Sequence, residues 1–220
     1  MKQFNRVYMK NLFTIIAIAA VVACKAQNQQ TITYNVQVEN SPVAAAMGDM
    51  KLVIYYKNGK SLTDMHSAMY SMKSLVTDTG TVILVNAMGQ KYFFKTPALG
   101  TVAGSDSTVP DITYVDETKE IAGYTCKKAL IKVPSKMSDG SDTAVFWYTD
   151  KLPVIAQGKE AAIFKGLKGM PLEYEMNSAQ MRLKLTAQSV STGNIPEATF
   201  QLSTEGYSPL DENLMKQLQQ

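Results

Sequence analysis

The stretch TITYNVQVE, Thr31 to Glu39, sets the terms for the chain, because Ile32, Tyr34, Val36 and Val38 alternate with Thr31, Thr33, Asn35 and Gln37. A period of two belongs to a half-buried β-strand, whose successive side chains point to opposite faces. The same texture recurs. KLVIYYK runs into Asn58-Gly59, a pair that supplies the positive φ angles of a tight hairpin turn. TVILVN and KYFFKT flank Met88-Gly89 as a second hairpin, and Pro97 to Pro110, rich in Gly, Ser, Thr and Pro, reads as a loop. YTCKKALIKV, a turn at Ser138 to Ser141, TAVFWYT, PLEYEMN, MRLKLTAQSV and ATFQL follow. Many short strands divided by turn residues, with no helices alternating between them, predict a mainly β (β-rich α+β) fold built on an antiparallel sheet. One or two short helices are expected. Pro42 and Gly48 bracket a loop or short helix, and DENLMKQLQQ offers Asp211 as a cap with Leu214 and Leu218 one turn apart.

Ahead of the first strand lies an export signal. MKQFNRVYMKN is basic, and Leu12 to Ala23 is an apolar run of 12 residues, too short to cross a bilayer as an ordinary helix. Val21, Val22 and Ala23 before Cys24 resemble a lipobox, which would make residues 1–23 a lipoprotein signal peptide and Cys24 the site of acylation. Ordinary cleavage after Ala26 also fits, since Ala26 and Cys24 are the small residues it requires. Either way the expected location is extracytoplasmic: periplasm or outer membrane, or secreted. Residues 24–30 then form a linker and 31–220 a single domain, within the usual size of one core.

Export also settles the charge. The formal net charge is +3, but Lys2, Arg6 and Lys10 all precede Cys24, and removing them from the 22 basic residues leaves 19 against 19 acidic. A neutral mature chain without a basic, aromatic-studded cluster has no electrostatic footprint for nucleic acid.

Candidate chemistry is sparse. Cys126 is left without an intramolecular partner once Cys24 is acylated or removed, and it is expected as a small apolar residue in the core of a strand. Asn58 to Ser61, NGKS, lacks the first glycine of a phosphate loop, since Ile54 stands in its place. Asp111, Asp116, Glu117 and Glu120 lack calcium-loop spacing and read as a solvated turn. A single histidine excludes a conventional structural zinc site, and no cofactor is expected. No nucleophile, base and orienting partner can be named together, so an enzyme is not expected.

One cluster has a metal rationale. DMHSAMYSM places Met65, His66, Met69 and Met72 within eight residues, and thioether with imidazole suits Cu(I). A strand would put Met65 and Met69 on one side and His66 and Met72 on the other; only a helix would gather the three methionines. The competing reading is flexible apolar side chains lining a core or an adaptable cavity.

At TKEIAGYTCKKALIKV, AVFWYTDKLP and FKGLKGMPLEYEM, spanning Thr118 to Met176, the chain resembles the domain-of-unknown-function family 4412 and the related GLPGLI envelope proteins. Gly166-Leu167-Lys168-Gly169-Met170-Pro171-Leu172 departs from the GLPGLI name-motif, which favours the broader family. The closing GNIPEATFQLSTEGYSPLD is similar to the ending of LolA/LolB-type lipoprotein carriers. These resemblances imply an extracytoplasmic, mostly β protein with no established enzymatic activity, with a curved antiparallel sheet or incomplete barrel around an apolar cavity. Together with fold class, compartment and the many Met, Tyr and Phe residues, they predict a hydrophobic ligand such as a lipid or acyl chain. The alternatives are an interaction module whose sheet packs on itself without a cavity, and a Met/His copper-binding protein.

Overall fold

The computed structural model describes residues 29–39, 48–97, 110–132, 143–155, 164, 166–178 and 181–210. The expected export signal with Cys24, the stretch after Pro42, the greater part of the expected loop from Pro97 to Pro110, the expected Ser138 to Ser141 turn and the C-terminal DENLMKQLQQ lie outside them.

The described residues form a sheet of 12 strands, made by two meanders that meet at the first strand. β1 (Gln29–Glu39) leads to β2 (Met50–Lys57), β3 (Lys60–His66), β4 (Tyr70–Val76), β5 (Gly80–Ala87) and β6 (Gln90–Pro97), each antiparallel to the one before. The chain then starts again at the far edge. β7 (Ile112–Ile121), β8 (Tyr124–Lys132), β9 (Thr143–Thr149), β10 (Met170–Ser178) and β11 (Met181–Ser191) run back until β11 pairs with β1. β12 (Ser208–Pro209) adds a short parallel pairing to β6. The sheet stays open, with β6/β12 and β7 as its edges, and it curls enough for β7 to approach β11.

The expected hairpins form as the turn chemistry requires. Asn58 and Gly59 sit at φ 50° and 82°, Met88 and Gly89 at 51° and 82°, the two consecutive left-handed residues whose twist matches that of the flanking strands. Ala122-Gly123 makes a third such turn that its composition does not announce.

The alternation in β1 orients everything else. Ile32, Tyr34 and Val36 are buried on what is here the inner face, where they meet Ile54, Leu52 and Met50 of β2. Across β11 and β10 the same face carries Leu185, Ala187, Leu172 and Tyr174, and across β9 and β8 Phe146, Ala129 and Ile131. The β9–β10 connection lies over it. Phe146 stacks on Tyr174 at 5.5 Å, and Phe164 from that connection meets both rings edge-on at 5.7 and 5.4 Å. Tyr34 completes the cluster, its ring 6.0 Å from Tyr174 and its hydroxyl donating to the Pro171 carbonyl at 2.7 Å.

The opposite face is covered elsewhere. Beyond β11 the chain crosses the outer side of β2 to β4, where Ile195, Phe200 and Leu202 pack on Tyr55, Leu62 and Leu75. Lys57 donates to the Ile195 carbonyl at 2.6 Å, and Lys57 and Lys60 both pair with Glu197, at 3.0 and 3.1 Å. Leu210 N–H donates to the Phe93 carbonyl and fastens the end of this strap, residues 192–210, to the sheet edge.

Three expectations are corrected. ATFQL is not a strand: Glu197–Phe200 is a single turn of 3-10 helix after Pro196, and the segment packs on the sheet by its side chains. The acidic stretch at Asp111 to Glu120 is not a solvated turn but, apart from Asp111, part of edge strand β7. A bulge between Val115 and Thr118 leaves Asp116 and Glu117 exposed, and charge on an edge strand discourages pairing with other chains. The methionine-rich segment is neither one strand nor a helix but the β3–β4 hairpin.

Candidate functional site

A cleft of about 770 Å³ opens among the described residues at the end of the sheet where β1 starts and β2 and β11 finish. Its third wall is the β9–β10 connection. Leu152, Ile155 and Leu167, each only 6% exposed, form an apolar floor continuous with the core. Tyr56 and Tyr124 stand at its sides.

Close backbone approach shapes this wall. Met170 N–H donates to the Leu152 carbonyl at 3.2 Å, and Ile155 N–H to the Met170 sulfur at 3.4 Å, which ties both arms of the connection together. Gly169 makes the approach possible: a Cβ there would lie 2.0 Å from the Thr149 carbonyl oxygen. Gln30, beside Tyr56 in the β1–β2 register and 3% exposed, donates from Nε2 to the Pro153 carbonyl at 3.3 Å and so locks the connection onto β1.

The polar groups lie around the mouth. Asp150 accepts from Lys127 at 2.7 Å, and that hydrogen bond holds its carboxyl below the ordinary carboxylate range. Lys151 reaches Asp150 only at 3.9 Å, and Lys168 sits 4.4 Å from the Tyr114 ring centroid.

The methionine cluster divides. Met65 and Met72 are direct cross-strand partners on the inner face, between Leu52 and Val85. His66 points the other way, with Nδ1 3.7 Å from Asp64, which also pairs with Lys73 at 3.2 Å. Met69 is in the turn, 45% exposed. Alternation along β3 puts Met65 and His66 on opposite faces and so splits the ligand set, as the single-strand expectation also does, but the hairpin register joins Met65 to Met72, which that expectation separates. Among the described residues no group of three or more His, Cys, Asp or Glu could hold a metal ion.

Cys126 is fully buried and unpaired, and burial pushes its thiol up to about 11. A thiol so raised stays protonated at neutral pH and is a poor nucleophile.

Sequence reasoning missed the cleft. Gln30 and Pro153 are 123 residues apart, and nothing in the period of β1 distinguishes Gln30 from its neighbours. The one usable signal was DKLPVI and GLKGMP, apolar and glycine-bearing but without strand alternation.

No protein-family model matches the chain, so the resemblance to family 4412 and GLPGLI proteins rests on the Thr118 to Met176 residues alone. No curated protein matches it. Among solved structures, PNGF-II is similar over 87% of this chain with 15% identity and a TM-score of 0.46, and the chain spans 33% of that protein's length. The Mycobacterium tuberculosis lipoprotein LppX is similar over 76% of this chain and 87% of its own, with 13% identity and a TM-score of 0.37. A DUF1329 family protein from Desulfovibrio piger is similar over 87% and 95%, with 8% identity and a TM-score of 0.36. All three are loose likenesses, and the architecture stands on the strand order and register of this chain itself.

Proposed function

We propose that this chain is an exported envelope protein that binds a hydrophobic ligand, such as a lipid or acyl chain, in the cleft beside Tyr56 and Tyr124. The cleft carries the reading: its volume falls within the range of small-ligand sites, and its floor is the near edge of the apolar core, Leu152, Ile155 and Leu167. The sheet's interior does not supply the site, because Phe164, Leu152, Ile155 and Leu167 already fill its inner face over β8 to β11. The protein acts by binding rather than catalysis, with Cys126 buried and protonated and His66 engaged by Asp64 on the far side of β3.

Export sets the ligand's source. Cys24 precedes Gln29, a cleft residue, by five positions, and an extended chain covers at most ~17 Å over that span. An acylated Cys24 therefore holds the cleft mouth near the membrane that carries it.

Titration with the apolar dye N-phenyl-1-naphthylamine tests the reading. Saturable one-to-one binding, displaced by lipid extracted from the envelope, is expected. Fluorescence that rises without saturation would mean no ligand site and leave an interaction module. The mass of the mature N-terminus reports separately whether Cys24 is acylated.

A further inference from the structure

We propose that the cleft is specific for an amphiphile with a single acyl-type chain and an anionic head, the chain lying on Leu152, Ile155 and Leu167 and the head held by Lys151, Lys168 and the Gln30 amide. This rests on the ligand-binding reading above and adds the ligand's polarity to it.

Charge is the first ground. Among the described residues, Asp150, Lys151 and Lys168 are the charged groups of the cleft. The Asp150 carboxylate is taken up by Lys127 at 2.7 Å, whereas Lys151 stands off at 3.9 Å with 78% of its side chain exposed. Lys168 is steadied over Tyr114, a contact that positions an ammonium without neutralising it. The mouth therefore keeps uncompensated positive charge directly above an apolar floor.

Gln30 is the second. Its amide carries two N–H donors and an acceptor oxygen, and the bond to Pro153 uses one donor. The second N–H and Oε1 have no partner among the described residues, although the side chain is 97% buried and lines the cleft. A buried amide with that much unused capacity is costly unless a polar group meets it. A head oxygen placed there accepts from the free N–H, and a head hydroxyl can also donate to Oε1.

Size excludes the two simpler occupants. A bare anion would satisfy the lysines but leave the floor wet in a cleft of about 770 Å³. A neutral hydrocarbon would cover the floor and leave the lysines and Gln30 unmet. Only a chain with a charged end matches both.

Calorimetric titration of the purified protein with laurate, dodecyl phosphate, dodecanol, acetate and inorganic phosphate, all below micelle-forming concentrations, separates the cases. Laurate and dodecyl phosphate are expected to bind about tenfold more tightly than dodecanol, in line with two charge-assisted contacts at a partly exposed rim. The double variant Lys151→Gln/Lys168→Gln should bring laurate and dodecyl phosphate down to the affinity of dodecanol measured on the same variant, whereas Lys168→Arg should retain the preference. Both lysines are exposed, and an unaltered thermal transition confirms that the variants fold. Equal affinity for laurate and dodecanol overturns the proposal while the hydrophobic-ligand reading stands. So does a preference that survives the double variant, or acetate and phosphate binding as tightly as laurate. Failure of every dodecyl compound to bind sinks the ligand reading itself.

Discussion

Over β8 to β11 the inner face of the sheet is closed by the chain's own β9–β10 connection, whereas over β2 to β4 the strap covers the outer face. The first region is sealed by large rings in fixed contact: Phe146 on Tyr174, with Phe164 edge-on to both. The second is sealed by a strap of fewer apolar residues, Ile195, Phe200 and Leu202, with lysines gripping its backbone and Glu197. On its inner face Met65, Met72, Ile83, Val85, Tyr92 and Phe94 remain half-buried. One sheet thus holds a densely packed half, expected to be the rigid one, and a lightly covered half lined by adaptable side chains. The cleft lies where the densely packed half ends, so the proposed ligand would meet a preformed floor.

The sharpest way to break this contrast is to empty the rigid half. Phe146→Ala removes a 1% exposed ring that touches two others, and the expected cost is about 3–5 kcal/mol, read as a lowered urea midpoint of the whole transition. Gly169→Ala comes next. A methyl placed 2.0 Å from the Thr149 carbonyl cannot be relieved by a side-chain rotation, since the obstacle is backbone. The two arms of the β9–β10 connection must part, at about 3 kcal/mol, and the cleft widens with them. Loss of saturable dye binding at temperatures where the variant is still folded would show that the connection builds the site as well as the core.

How much of this was legible depended on whether a residue's role is local. β1, the β2–β3 turn and the β5–β6 hairpin follow from side-chain alternation and from Asn58-Gly59 and Met88-Gly89, signals confined to a few neighbours. β7 was hidden because its bulge interrupts the period of two and because edge strands tolerate the acidic residues that elsewhere mark turns. ATFQL has the composition of a strand, yet Pro196 precedes it and Phe200 is satisfied by packing on Leu62 and Leu75, not by a ladder partner. Buried Cys126 was legible because free cysteine is among the most buried residue types and YTCKKALIKV reads as a strand. The cleft was not, because its residues converge from β1, β2, β8, β11 and the β9–β10 connection, and no spacing records such a meeting.

The strap offers a smaller and more local perturbation. Phe200→Ala should cost about 2 kcal/mol, less than an interior aromatic, because the emptied site lies under a segment that can settle onto the sheet. Hydrogen exchange should quicken at Leu210, whose N–H bonds to the Phe93 carbonyl, and stay slow at Tyr34 and its β11 partners. Uniform loss of protection across both halves would mean that the sheet opens as one unit and that the contrast is only geometric.

Acid should produce the least effect and the most specific one. Hydrogen bonds from Lys57 and Lys60 hold the Glu197 carboxyl below the ordinary glutamate range. A carboxyl lowered on folding contributes stability that is fully present above its unfolded value, about 4.3, and is lost as pH falls through the lowered folded value. Docking of the strap should therefore be constant from neutral pH down to the ordinary glutamate range and weaken only below it. The group is solvent-exposed and salt screens it, so the change belongs in a chemical-shift titration of Ile195 and Phe200. Glu197→Gln should abolish the response. The strap should still remain in place in that variant, because the 2.6 Å bond from Lys57 to the Ile195 carbonyl involves no acidic group and the apolar contacts of Phe200 do not titrate. Wholesale release of Phe200 at acid pH would instead make the ion pairs the strap's main fastening and reverse the ranking of forces drawn between the two halves.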